Sequence, residues 1–165
     1  MKHNWRIFEL ILSGIQILLG LLIMFFVYIT CNQYYTFLWG NPLVDHQSIV
    51  KMAVRKNVTL IIVSVITISS AIFLIKNLLK GWVMSVTTWF MFTIILIINS
   101  YRLKLSNPSE LDLISKIILG IITVAFITII LALNNIEFRH KYNPTIKNWL
   151  VIAISIIVLT ALKFL

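Results

Sequence analysis

Five apolar runs, four of them about as long as a bilayer is thick, constrain this chain more than any other feature. They cover about residues 7–30, 57–75, 82–101, 113–133 and 149–165. A hydrocarbon core about 30 Å thick needs about 20 apolar residues in a crossing helix. The second run is rich in Val, Ile, Thr and Ser, a composition that favours strand in water. In lipid a lone strand leaves its backbone groups unpaired, so the run is expected to be helical. Only 12% of the residues are charged, about half the usual share of a soluble domain, which leaves no room for a separate soluble unit. The expected fold is all-α: one integral membrane domain over residues 1–165, a polytopic bundle of five transmembrane helices. The fifth run is the shortest. The alternative is four crossings and an interfacial C-terminal helix.

The connections carry the charge. The net charge of +9 comes from basic residues between the runs, where Lys and Arg reach lipid phosphates. This points to a lipid bilayer as partner, with no nucleic acid. Lys2, Arg6, Lys76, Lys80, Arg139, Lys141 and Lys147 fall on one side. Lys51, Arg55, Lys56, Arg102, Lys104, Lys116 and Lys163 fall on the other, so positive-inside counting gives no orientation. The aromatic first connection, Cys31–Lys56, reads as an outside loop, which favours an N-terminus inside. Trp5, Trp82 and Trp149 open odd-numbered runs and are expected at one interface. The first run is too long for a signal-peptide core and lacks a small-x-small cleavage site, so it reads as an uncleaved span.

All three prolines follow asparagine, at Asn41, Asn107 and Asn143. Asn is a good helix N-cap and Pro suits the first helical position. The pairs therefore read as helix starts, with Glu110 in the capping-box position after Asn107.

The chemistry of sites is sparse. One cysteine, Cys31, excludes an internal disulfide and a Cys-x-x-Cys pair. His3, His46 and His140 lie outside the runs, so no haem or zinc set is expected and no cofactor is assigned. Glu9 sits at the mouth of the first run, one turn from Arg6, and reads as a solvated surface pair. Neutral polar residues do enter the runs: Ser13, Gln16, Ser64, Thr67, Ser70 and Asn99 form a candidate intramembrane stripe. Such residues let helices approach and bond across their interface. Tyr34, Tyr35, Trp39, Asp45 and His46 form a candidate loop site.

These features imply no nucleophile–base pair. The expected role is non-enzymatic: an accessory, partner-binding or immunity-type membrane protein that acts through helix packing. Its partner would be a second copy or another membrane protein, in the cytoplasmic (inner) membrane of a bacterium. A channel, holin-like pore or small transporter subunit lined by Gln16 and Ser64 is the alternative. A lipid-directed enzyme using the first connection is the third.

Overall fold

The computed structural model describes residues 2–38, 46–106 and 113–164, with side chains for 5–37, 47–98 and 116–161. Every element in them is a helix: α1 (Lys2–Leu38), α2 (His46–Ile75), α3 (Leu79–Ser106), α4 (Leu113–Leu133), α5 (Ile136–Tyr142) and α6 (Ile146–Phe164). Four of these are long and apolar enough to cross a membrane. The count rises to five if α5 and α6, bent by 106°, are taken as one broken span.

The surface is apolar and the interior holds much of the polarity. Leu18, Leu21, Phe25, Ile121, Val124 and Ile157 are exposed, whereas Glu9, Ser13, Gln16, Ser64, Thr67, Ser70 and Ser85 are fully buried. Water would favour the reverse arrangement, since buried polar groups lose their hydration. Helices with this distribution point to a membrane-embedded protein.

α1 packs on α2, α2 on α3, and α3 on both α4 and α6. α3 is therefore central. Its apolar stretch is half buried, against 11% for that of α4. Trp89 fills the α3–α4 contact, edge-on to Phe92 and Phe126 at 5.8 and 5.2 Å. Trp82 lies against Trp149 at 5.4 Å and donates its indole N–H to the Leu133 carbonyl at 2.8 Å. Trp82 is 0% exposed. Its ring is thus a packing element, not the interface anchor that its place at the start of a run suggests.

Two turns set the geometry. Between α2 and α3, Asn77 takes a left-handed φ of 56°. Leu78 N–H bonds to Phe73 O and Asn77 N–H to Leu74 O, closing α2 in a Schellman turn, where Asn is one of the few tolerated side chains. A Cβ on Gly81 would lie 2.3 Å from Leu74 N, so only glycine lets α3 start this close to α2. Between α5 and α6, Asn143 is also left-handed, at φ 44°, and its N–H bonds to Arg139 O. Asn143 therefore ends α5 and does not start the next helix. Pro144 then prevents α5 from continuing, and α6 begins at Ile146.

The connection expected over Cys31–Lys56 is largely helical. α1 runs on to Leu38 and α2 already starts at His46. No breaker interrupts either segment, so the helices outrun their apolar stretches. At 1.5 Å per residue α1 is about 55 Å long, well beyond a hydrocarbon core of about 30 Å. Asn41, Asn107 and Glu110, proposed as caps, lie outside the described residues.

Candidate functional site

The polar side chains inside the bundle come from three helices. On α1, Glu9, Ser13, Gln16 and Gly20 follow one another at steps of four, three and four, which places them on one helix face. On α2, Ser64, Thr67 and Ser70 recur every three residues, and α3 adds Ser85 and Thr88. All these side chains are buried, Thr88 at 2% exposure and the others at 0%.

Ser64 Oγ donates to the Gly20 carbonyl at 2.8 Å. That bond needs close approach: a Cβ on Gly20 would lie 2.5 Å from Ile68 Cγ1 and 3.3 Å from Ser64 O. Ser85 Oγ donates to Gln16 Oε1 at 3.2 Å, tying α3 to α1. Thr67, Ser70 and Thr88 donate back to carbonyls of their own helices, Val63, Thr67 and Met84, at 2.6–2.8 Å. Ser13 Oγ and Gln16 Nε2 have no hydrogen-bond partner in the protein. A buried donor in that state costs about 1–3 kcal/mol, so the seam carries unspent hydrogen-bonding capacity.

At the seam's N-terminal end stands Glu9. Lys141 Nζ donates to its two oxygens at 2.6 and 2.5 Å, and the Tyr142 hydroxyl donates to Oε1 at 2.7 Å. Arg6 Nη1 lies 3.4 Å from Oε2. Arg6 also donates to Asn77 Oδ1 and Ile75 O, each at 2.7 Å, and Lys141 reaches Asn77 Oδ1 at 2.8 Å. The carboxylate is fully buried, whereas the Arg6 and Lys141 side chains are 36% and 37% exposed. This clasp joins the start of α1, the α2–α3 turn and α5 at one end of the bundle. Burial, then the hydrogen bond to Glu9 and its charge, holds the Tyr142 phenol protonated well above the usual tyrosine range, with Arg6 opposing.

Glu9 is thus no solvated surface pair. The reason is α5, which folds under α1 with Phe138 edge-on to Trp5 and Phe8 at 5.1 and 5.9 Å and covers the carboxylate. Nothing adjacent in sequence announces Lys141 and Tyr142 as its partners, or Asn77 as the acceptor its cations share. The detectable signal was the register of Glu9 with Ser13 and Gln16 on one helix face.

Of the expected stripe, Ser13, Gln16, Ser64, Thr67 and Ser70 meet at the contact of α1, α2 and α3. Asn99 lies toward the other end of α3, and its side chain is outside those described. Of the loop set, Tyr34 and Tyr35 are on the last turns of α1. Trp39 and Asp45, and the side chain of His46, lie outside the described residues. Lys56 donates to the Tyr34 hydroxyl. Beside this pair a cleft of about 200 Å³ opens between α1 and α2, walled by Tyr28, Cys31, Tyr35, Ile49 and Ala53. Among the described residues no three His, Cys, Asp or Glu side chains come together as a metal set would require.

No protein-family model, curated protein or solved structure matches this chain.

Proposed function

We propose that this chain is a multi-pass protein of a bacterial cytoplasmic (inner) membrane, crossing five times with its N-terminus inside. Its role is non-enzymatic: it associates through α4 with a membrane helix of a second copy or of another protein, as an accessory or immunity-type subunit does. The observation that carries this reading is the state of α4. Its apolar stretch is only 11% buried, and a Cβ on Gly120 meets nothing within 4 Å. Gly120, Val124 and Thr128 recur every four residues along one face, and the missing side chain at Gly120 leaves room there for a second helix. The polar stripes of α1–α3 are turned into the bundle, which leaves α4 as the helix most open to a partner.

The test is crosslinking of the full chain in native membranes, comparing wild type with Gly120→Leu and Thr128→Leu. Loss of a crosslinked species in both variants, with the monomer intact, supports the reading. A strictly monomeric wild type with no crosslinked partner sinks it.

The second reading, a transporter or pore subunit, draws on the polar seam. Gln16 and Ser64 are both buried inside one copy, so this reading takes the form of a path through a single bundle, not a pore between copies.

A further inference from the structure

We infer that the seam between α1, α2 and α3 is a water-binding site inside the bundle, entered from the N-terminal end and closed there by the Glu9 clasp. This goes beyond the association proposed for α4 and does not depend on it.

Three observations carry it. First, Ser13 Oγ and Gln16 Nε2 are unpartnered on side chains with no exposure at all. Turning the Gln16 amide over exchanges which end meets Ser85 and leaves the other end open, so the capacity persists in either setting. Second, the neighbouring hydroxyls of Ser64, Thr67 and Ser85 each donate one bond and keep lone pairs for accepting. A water needs two to four such partners, and a site shared by three helices offers both kinds. Third, the polar groups are continuous with the outside. Ser13 is one turn beyond Glu9, and Glu9 is bound by Arg6 and Lys141, whose side chains are about one-third exposed.

The chemistry selects an uncharged ligand. The titratable and charged groups that face Glu9 are Arg6 from α1 and Lys141 and Tyr142 from α5, with the neutral Asn77 from the turn. The two cations offset its charge, and among the described residues no carboxylate lies deeper in the seam. A cation would find no counter-charge there, and a water needs none.

The experiment uses the full chain in liposomes with Cys31 replaced by serine. Single cysteines are placed at Ser13, Gln16 and Thr67, and at the lipid-facing Leu18 and Leu21, which are 60% and 56% exposed on the same helix. Each is treated with methyl methanethiosulfonate, a small uncharged reagent that reacts with the thiolate form and so requires water at the sulfur. Cysteines at 13, 16 and 67 should react at least about tenfold faster than those at 18 and 21. The Lys141→Ala change should raise the rate at 13 further. Equal rates at seam and lipid-facing positions overturn the water site. An unchanged rate in Lys141→Ala overturns the clasp as its closure. Thr67→Cys probes the seam from α2, so a folding defect confined to an α1 variant does not decide the outcome.

Discussion

Two of the three donors around the Glu9 carboxylate come from far along the chain, Lys141 and Tyr142, and one from the preceding turn, Arg6. Removing one partner of a buried pair leaves a charge that neither water nor protein satisfies. Glu9→Gln should therefore lower unfolding stability in detergent by about 2–3 kcal/mol, below the range for a fully enclosed pair because Arg6 and Lys141 keep partial access to solvent. Tyr142→Phe removes one hydrogen bond and should cost about 1 kcal/mol. The phenol also gives a pH signature. Its folded value is raised, so its contribution is complete below the ordinary tyrosine value of about 10 and is lost as pH rises above it. Denaturant midpoints compared between wild type and Tyr142→Phe should converge between neutral pH and pH of about 11. A difference that stays constant would show that folding leaves the Tyr142 phenol unshifted. Asn77 works twice at this scale. Its backbone closes α2 in a conformation that most side chains avoid, and its Oδ1 accepts from both cations.

Among the elements, two helical glycines have opposite consequences. Gly81→Ala drives a Cβ into the backbone of Leu74 and should cost about 2–3 kcal/mol, read as a lower thermal midpoint. Gly120→Leu points into open space and should leave monomer stability within about 0.5 kcal/mol, so its effect on association can be read separately. Sequence alone does not separate them, because what each would touch belongs to other parts of the fold. The helices themselves were legible, since runs of bilayer length admit little else. Their ends were less so. Asn-Pro at Asn143 carries both a good N-cap and a residue tolerant of left-handed backbone, and the left-handed role prevails at the end of α5. The extension of α1 to Leu38 lacks any stop signal that would have marked its end, whereas that of α2 was legible, since no breaker separates Leu43 from the second run.

Among the described residues the apolar runs turn their polar side chains inward, and this is the part the sequence partly disclosed. Ser13, Gln16, Ser64, Thr67 and Ser70 stand out as polar letters in apolar runs, and their spacing already places each set on one helix face. That α3 closes the seam through Ser85, and α5 closes its end, is tertiary information. So is the burial of Glu9, which near the edge of a run looks the same whether solvated or covered. The proposed five crossings make a direct prediction. With Cys31 replaced, cysteines at Asn41 and Asn107 should be labelled from one side of the membrane and a cysteine at Asn143 from the other. A cysteine at Leu165, at the far end of the last run, should be labelled from the side of Asn41 and Asn107, and its labelling from the side of Asn143 would remove the fifth crossing.

The clasp also has a consequence in time. Glu9 leaves the ribosome 132 residues ahead of the lysine that neutralises it. At synthesis rates of roughly 5–20 residues per second, that interval is on the order of ten seconds. During it the first helix holds a carboxylate without its main counter-charge, and the bundle cannot lock. Completion of the chain through Tyr142 therefore acts as a checkpoint on assembly. A nascent chain stopped after Leu133 retains its four longest helices and lacks Lys141 and Tyr142, which hold Glu9 in the finished bundle.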